Sequence, residues 1–256
     1  MPTQLQECIS HEDEAGLRGV LVANSGNPSW KDAAGLTALH YAAYFGKTGI
    51  LKLLLDMGAD LEARAEKYGS TPLQWATYCG IKNAPKLDQR RNQPVIAELL
   101  RRGASYDIMS AVANLDAARV EAVLATDAVA VNSKWMNGFA PLHVNADLEI
   151  GRSLLATGAD LRQRSDDGTT PLIYLCNRLR ANEALVRLYL DRGAEANAQS
   201  GSGRTALHAA VRRGHEEIVK LLLARGANRA LQNDKGETAL DKAINLRKKS
   251  LRSLLQ

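Results

Sequence analysis

The sequence predicts an all-α repeat solenoid, a stack of helix pairs joined by short β-turn and hairpin loops. Two recurring markers carry this prediction. The first is a six-residue segment of the type TALHYA or TPLQWA, which begins at Thr37, Thr71, Ala140, Thr170, Thr205 and Thr238. The second is a Gly-Ala pair, which begins at Gly58, Gly103, Gly158, Gly193 and Gly226. Successive copies of the first marker are 34, 69, 30, 35 and 33 residues apart, so one copy is missing within the interval of 69.

Each marker has a local physical reason to sit at a helix end. A threonine before the first helical residue can cap the free backbone N–H groups, and proline at the first helical position gives up a donor that is already unpaired. The glycine of Gly-Ala can close the second helix in a left-handed conformation. Between the markers, apolar residues recur at helical spacing, as in Leu39, Ala42 and Ala43. The unit is therefore a pair of short helices bounded by tight turns.

The unit formed by residues 32–64 is similar to the ankyrin repeat, with Asp32, Gly35, Thr37-Ala-Leu-His40 and Gly58-Ala-Asp60 at matching positions. Residues 200–231 match almost as well. The resemblance implies that the first helices line a concave groove and that the turns project beside it. It also implies that variable positions on those surfaces bind another protein, and that the histidines of the TALH segments join neighbouring turns by hydrogen bonds.

We expect a single ankyrin-repeat domain, 1–256. The repeat at 66–106 carries an insertion at 81–93, which we interpret either as an added binding loop or as a disordered excursion. The predicted units are an N-terminal capping repeat at 3–31, repeats at 32–65 and 66–106, a degenerate repeat at 107–134, a shortened repeat at 135–164, repeats at 165–199 and 200–232, and a C-terminal capping repeat at 233–256.

Composition narrows the class of function. The net charge of +5 divides unevenly, with −2 in residues 1–130 and +7 in the rest. No apolar run is long enough to span a membrane, and no secretory signal pattern is present, so we expect a cytoplasmic protein. The three cysteines are far apart, which suggests neither a disulfide framework nor a zinc site. We find no catalytic motif, and we expect no enzymatic activity, no metal and no cofactor.

The strongest candidate binding surface lies near the amino terminus. Tyr41, Tyr44 and Phe45 share one face of a predicted helix, at spacings of three and four residues. The next repeat holds Trp75 and Tyr78 at the positions equivalent to Tyr41 and Tyr44 when the two repeats are aligned. Tyr68 lies on the turn before them. Aromatic side chains turned toward solvent are common anchors of protein interfaces. We therefore predict a partner-binding surface here, against the alternative that these rings only pack on one another or under the insertion.

Two weaker candidates follow the same reasoning. The first is an apolar turn formed by Trp135, Met136 and Phe139, which could instead pack against the irregular repeat before it. The second is a basic groove surface formed by Arg178, Arg204, Arg212 and Arg213. We expect one bound protein, with an acidic patch, to meet both the aromatic and the basic surface.

These observations predict a non-enzymatic module that binds a partner protein on its concave face and turns, as an adaptor or an inhibitor. An immunity or antitoxin-like protein is one form of such an inhibitor. The alternative is binding of nucleic acid or another acidic ligand through the basic carboxyl-terminal half, which would be strongly salt-dependent. The aromatic residues favour a protein partner over nucleic acid. We expect the free protein to be a monomer, and the sequence does not identify the partner.

Overall fold

The computed structural model describes residues 4–66, 69–82 and 92–256, with backbone alone at 78–82 and 136. This part of the chain forms short helices and one isolated antiparallel bridge, between Lys31 and Thr37, so the predicted all-α class is confirmed. Two 3-10 helices span Ala128–Asn132 and Met136–Gly138. The α-helices are α1 Gln4–Ser10, α2 Glu14–Ala23, α3 Ala38–Phe45, α4 Thr48–Asp56, α5 Pro72–Lys82, α6 Gln93–Arg101, α7 Ile108–Ala113, α8 Ala117–Thr126, α9 Pro141–Val144, α10 Leu148–Ala156, α11 Pro171–Cys176, α12 Glu183–Asp191, α13 Ala206–Arg213, α14 Glu216–Ala224, α15 Ala239–Asn245 and α16 Lys249–Leu255.

Helices α3 and α4 show how the sequence produces one repeat. The Thr37 hydroxyl accepts a hydrogen bond from the backbone N–H of His40 and so caps α3. The helix ends at Gly46, whose φ of 69° is the left-handed conformation that glycine adopts without strain. Leu39, Ala42 and Leu54 are completely buried, because the apolar stripes of the two helices face each other. The small alanines allow the helix backbones to approach closely.

The chain divides into two compact units, Met1–Ser110 and Ala111–Gln256. The core of the first unit contains buried residues from α1 to α6, including Leu5, Leu17, Leu51 and Leu99. The core of the second unit is built in the same way, with Leu142, Leu207 and Leu222 inside it. In the described part of the chain, no helix is long and apolar enough to cross a membrane.

The first helix of the repeat at 135–164 is only half as long as α3. Helix α9 has four residues, whereas α3 has eight. The chain then continues through Asn145, which is fully buried and bonds to the backbone of Asp147 through both its amide nitrogen and its amide oxygen. The Tyr189 hydroxyl donates to the carbonyl oxygen of Leu142 at 3.0 Å. Polar side chains therefore occupy the place where a longer helix would have satisfied its own backbone groups.

The turns that precede the first helices stack on one another in the second unit. The backbone N–H of Gly201 donates to the carbonyl oxygen of Asp167 at 2.8 Å. Gly168 has a φ of +72°, and a Cβ atom placed on it would lie 2.7 Å from the Gly201 nitrogen. Gly168 is thus needed both for its own conformation and for the approach of the next turn.

Gly168→Ala is therefore expected to lower the free energy of unfolding by about 2–3 kcal/mol, since it adds a backbone clash to left-handed strain. The matched control is Gly226→Ala, where φ is +80° but a Cβ atom would meet nothing within 4 Å. The control should cost about 1 kcal/mol. Urea unfolding followed by circular dichroism measures both. Equal losses in the two variants would show that the turns do not need this close contact.

Candidate functional site

The histidines of the repeat signature are structural in this protein. His40 donates from Nε2 to the carbonyl oxygen of Ser70 at 2.9 Å. His143 and His208 make the same bond to the carbonyl oxygens of Thr169 and Glu237, each at 3.0 Å. In each case Nδ1 accepts a backbone N–H three residues earlier in the chain. The hydrogen bonds to neighbouring turns that the resemblance implied are therefore present.

These bonds require neutral imidazole rings. Burial lowers the pKa of His40, His143 and His208 below the ordinary value of 6.5. A proton on Nδ1 would also replace the acceptor that the backbone N–H needs. With both ring nitrogens engaged, none of the three has the free nitrogen of a general base or a metal ligand.

Within residues 4–66, 69–82 and 92–256, no group of three or more His, Cys, Asp or Glu side chains could hold a metal ion. Cys176 is fully buried, and burial raises its pKa to about 12, so its thiol stays protonated.

The first candidate surface is a cluster of aromatic side chains in the first unit, formed by Tyr44, Phe45 and Trp75, which we call the aromatic surface. The ring of Tyr44 meets Phe45 with centroids 5.2 Å apart and Trp75 with centroids 5.7 Å apart, both in edge-to-face geometry. All three side chains are half-buried. Trp75 is fixed further because its Nε1–H donates to the Ser70 hydroxyl at 2.8 Å. Helices of two successive repeats thus contribute to one cluster.

Tyr41 does not belong to this surface, and the expectation that it faces solvent is wrong. Its side chain is 5% exposed and lies in the core of the first unit. The Tyr41 hydroxyl donates to a carboxylate oxygen of Asp32 at 2.9 Å, so the ring is drawn toward the turn that opens its own repeat. Phe45 and Trp75 also lean on the edge of the core, which leaves Tyr44 as the ring least engaged with it.

Two further residues of the predicted aromatic set are not placed. Tyr68 lies outside the described residues. Tyr78 lies in α5, but its side chain is outside the described part. Most of the 81–93 insertion also lies outside it, so its interpretation as a binding loop stays a prediction.

The second candidate surface is a cleft of about 490 Å³ in the second unit, which we call the C-terminal cleft. It is lined by Phe139, Tyr174, Arg204, Arg212, Lys235 and Glu237, among others. Phe139 and Tyr174 meet edge to face, with ring centroids 5.0 Å apart. Its volume is in the range of pockets that bind small ligands or single side chains of a partner.

This cleft brings together residues that the sequence assigned to separate candidates. Phe139 comes from the apolar turn, whereas Arg204 and Arg212 come from the basic surface. Trp135 is half-buried on the turn beside Phe139, and its backbone N–H donates to the Phe139 carbonyl oxygen at 2.7 Å. Met136 has no described side chain.

Arg178 and Arg213 face inward instead, which corrects their assignment to a basic groove surface. The Arg178 guanidinium donates to the carbonyl oxygens of Val144 and Asn145 at 3.0 and 2.8 Å. Arg213, in the same column one repeat later, donates from Nε to the carbonyl oxygen of Asn177. Both side chains satisfy the end of the preceding first helix, so their positive charges serve the fold.

Tyr174 is a cleft residue that the sequence analysis missed. It stands at the repeat position equivalent to Tyr41 and Trp75, so the alignment of repeats that identified those two residues could also have identified Tyr174. Lys235 and Glu237 were missed for another reason. They lie on the turn that opens the next repeat, and only the stacking of turns brings them to the cleft.

The fold and its surfaces define a class of protein, a repeat domain of stacked helix pairs whose first helices and turns present contact surfaces. A family model for ankyrin repeats in three copies matches residues 12–110 and 176–256. The chain belongs to the ankyrin-repeat family. Ankyrin repeats are generally non-enzymatic modules of protein–protein interaction.

Two curated relatives are ankyrin-repeat proteins by name, and a third is similar to one stretch of this chain. The chain is 32% identical over 167 residues to ankyrin repeat protein L92 of Acanthamoeba polyphaga mimivirus, covering 65% of this chain and 34% of that protein. It is 26% identical over 228 residues to ankyrin repeat protein nuc-2 of Neurospora crassa, covering 73% of this chain and 20% of the relative. A stretch of 63 residues, 25% of the chain, is 43% identical to 2% of the Notch protein of Drosophila melanogaster. The chain thus spans at most about a third of these relatives.

Proposed function

We propose that this protein is a non-enzymatic module that binds a partner protein, as an adaptor or an inhibitor, through the aromatic surface of its first unit. The observation that carries the proposal is the cluster of Tyr44, Phe45 and Trp75, contributed by two successive repeats and only half covered by the protein. Rings already fixed by neighbours lose little conformational freedom on binding, and aromatic side chains are frequent energetic anchors. The cytoplasmic location and the monomeric free state remain predictions.

Nucleic-acid binding through the basic half has less support. Many of its basic side chains are paired with carboxylates of the protein itself, including Arg225 with Asp191 and Lys242 with Glu237. Arg178 and Arg213 are bonded to backbone carbonyl oxygens. A phosphate backbone placed on this half would also meet the carboxylates that lie among its basic side chains.

Tyr44→Ala is expected to weaken partner binding by about 30-fold, the effect of losing an aromatic anchor worth roughly 2 kcal/mol. The partner is first captured from a lysate of the source organism with the immobilised chain and identified by mass spectrometry. The dissociation constant of the purified pair is then measured by calorimetry. The same fold should be retained, because Tyr44 lies at the edge of the core.

The matched control is Val22→Ala in α2 of the same unit, where the side chain is 74% exposed and lies outside the aromatic surface. It should bind like the unmodified chain. A folded Tyr44→Ala variant that bound the partner with unchanged affinity would remove the aromatic surface from the proposal. Failure to capture any specific partner would count against a binding function as such.

A further inference from the structure

The basic and the acidic side chains around the C-terminal cleft differ in the partners that the protein itself provides for them. Arg204 donates from Nε to the hydroxyl of Ser202 at 2.8 Å, and Arg212 donates to the side-chain oxygen of Asn177. Among the described residues, neither guanidinium has a carboxylate within ion-pair distance. Both guanidinium groups line the cleft and donate hydrogen bonds to neutral oxygens, and Arg204 is near enough to Asp167 to help lower the pKa of that carboxyl.

Of the three acidic residues that line the cleft, Glu237 and Asp167 accept hydrogen bonds from the protein itself, and the third is Asp234. Glu237 accepts hydrogen bonds from Lys242 at 3.0 Å and from Asn233 at 3.1 Å. Asp167 accepts from the Ser165 hydroxyl at 2.6 Å and from the backbone N–H of Thr169 at 3.1 Å. What the cleft can still offer a ligand is an excess of positive charge on the arginine side.

A second observation points in the same direction. Burial, followed by the charges of Arg213 and Arg204, lowers the pKa of Arg212. The neighbouring guanidinium groups repel one another, so an anion placed between Arg204 and Arg212 would relieve that repulsion. A carboxylate also matches the planar donor geometry of arginine.

Apolar side chains also line the cleft. Phe139 and Tyr174 present two rings in edge-to-face contact, and the nearly buried Ile173 is a further lining residue. An apolar side chain placed on these rings would remove surface from water at the same time as a nearby anion meets the arginines. The rings and the guanidinium groups together therefore favour a ligand that carries an apolar side chain and an anionic group on adjacent residues.

We propose that the C-terminal cleft binds a segment of another protein in which an aspartate or glutamate stands next to an aromatic or aliphatic residue. The carboxylate lies between Arg204 and Arg212, and the apolar side chain lies on Phe139 and Tyr174. A nucleic acid fits less well, because it carries a phosphate at every nucleotide, so more of its negative charges than the single carboxylate of this segment would face Asp167, Asp234 and Glu237 in the same cleft. The site lies within the second unit, so it does not depend on the aromatic surface of the first.

The test is selection of a phage-displayed library of random linear peptides on the immobilised full-length chain. Peptides are counter-selected on the Arg204→Gln/Arg212→Gln variant. The control variant, Arg192→Gln/Arg229→Gln, removes two exposed arginines outside the cleft and changes the net charge equally. We expect enrichment of Asp or Glu beside Phe, Tyr, Leu or Ile. A selected peptide, labelled with fluorescein, should bind the cleft variant at least about tenfold more weakly than the control in fluorescence anisotropy.

Three results would overturn the proposal. The selection could enrich no peptide, or peptides without acidic residues, or peptides that bind the cleft variant and the control equally well. Labelled duplex DNA that bound at physiological salt and displaced the selected peptide would assign the cleft to nucleic acid instead. Because Arg212 also holds Asn177, the single variant Arg204→Gln is measured in parallel. Arg204 is exposed, and the side-chain hydrogen bond given for it in the described part of the chain goes to Ser202, so its effect on binding is separable from any effect on folding.

Discussion

Arg178→Ala is expected to lower the free energy of unfolding by about 3 kcal/mol. The truncation removes the donors for the carbonyl oxygens of Val144 and Asn145, which lie at the end of the four-residue helix α9. Unpaired buried carbonyl groups cost about 1–3 kcal/mol each, and the lost packing of the arginine stem adds to this. Burial also lowers the pKa of Arg178, so the guanidinium is held where charge is costly, by these two bonds. Urea unfolding monitored by circular dichroism measures the loss.

A suitable control for this variant lies two residues further along the chain. Arg180 is exposed, and Arg180→Ala should change stability by less than about 0.5 kcal/mol. Arg178→Lys should fall between the two, since a single ammonium cannot reproduce the donor geometry of the guanidinium. If Arg178→Ala were as stable as Arg180→Ala, the end of α9 would not depend on the arginine.

Much of the fold could be predicted because the same local interactions recur from one repeat to the next. The degenerate unit illustrates this, since α7 and α8 occupy 108–113 and 117–126 although its signature segment is missing. Apolar residues at helical spacing indicate both helices without that segment. The polar support of α9 could not be predicted in the same way. It depends on Arg178 and Tyr189, which are far from α9 in sequence and meet it only after the next repeat has packed.

The candidate site was only partly predictable for a related reason. The position of a residue in the repeat decides from which part of the helix its side chain projects. The contacts of that side chain depend on the residues that surround it in the particular repeat. Tyr41 and Trp75 share one column, yet Tyr41 turns inward to the Asp32 carboxylate and Trp75 stays at the edge of the core. Arg178 and Arg213 share another position of the repeat and both donate to backbone carbonyl oxygens, whereas Arg212, one residue before Arg213, lines the cleft. Sequence columns therefore give candidates, and the contacts separate them.

Stability is expected to fall steeply when the pH is lowered from about 7 to about 5. His40, His143 and His208 have a pKa lowered from 6.5 by burial. Below 6.5 the unfolded chain takes up protons that the folded chain refuses, so the free energy of unfolding decreases as the pH falls. Each histidine contributes at most about 1.4 kcal/mol per pH unit, so about 4 kcal/mol per unit is the upper limit for the three.

Urea midpoints measured across this range test the expectation. His143→Gln should flatten the pH dependence relative to the unmodified chain, because it removes one buried group that titrates only in the unfolded chain. Two carboxylates with a strongly lowered pKa act in a lower range of pH. A hydrogen bond from Arg101 holds the pKa of Glu98 at about 2, and one from Asn233 does the same for Glu237. Their stabilising effect is lost only at lower pH, as protonation begins in the unfolded chain near pH 4.5 and proceeds toward pH 2. A flat profile between about pH 7 and pH 5 would contradict the role given to the histidines.

The hydrogen bond from the histidine position of the signature segment to the next turn has a consequence for how the length of a repeat can change. It spans 30 residues from His40, 26 from His143 and 29 from His208. In the repeat with the insertion, Gln74 stands in the histidine column and bonds to Asp107 across 33 residues. Closing a loop of 33 residues instead of 26 costs only about 0.2 kcal/mol more. Evolution can therefore lengthen or shorten the stretch between these two contact points almost freely, and new recognition loops can arise there while the register of the helices is kept.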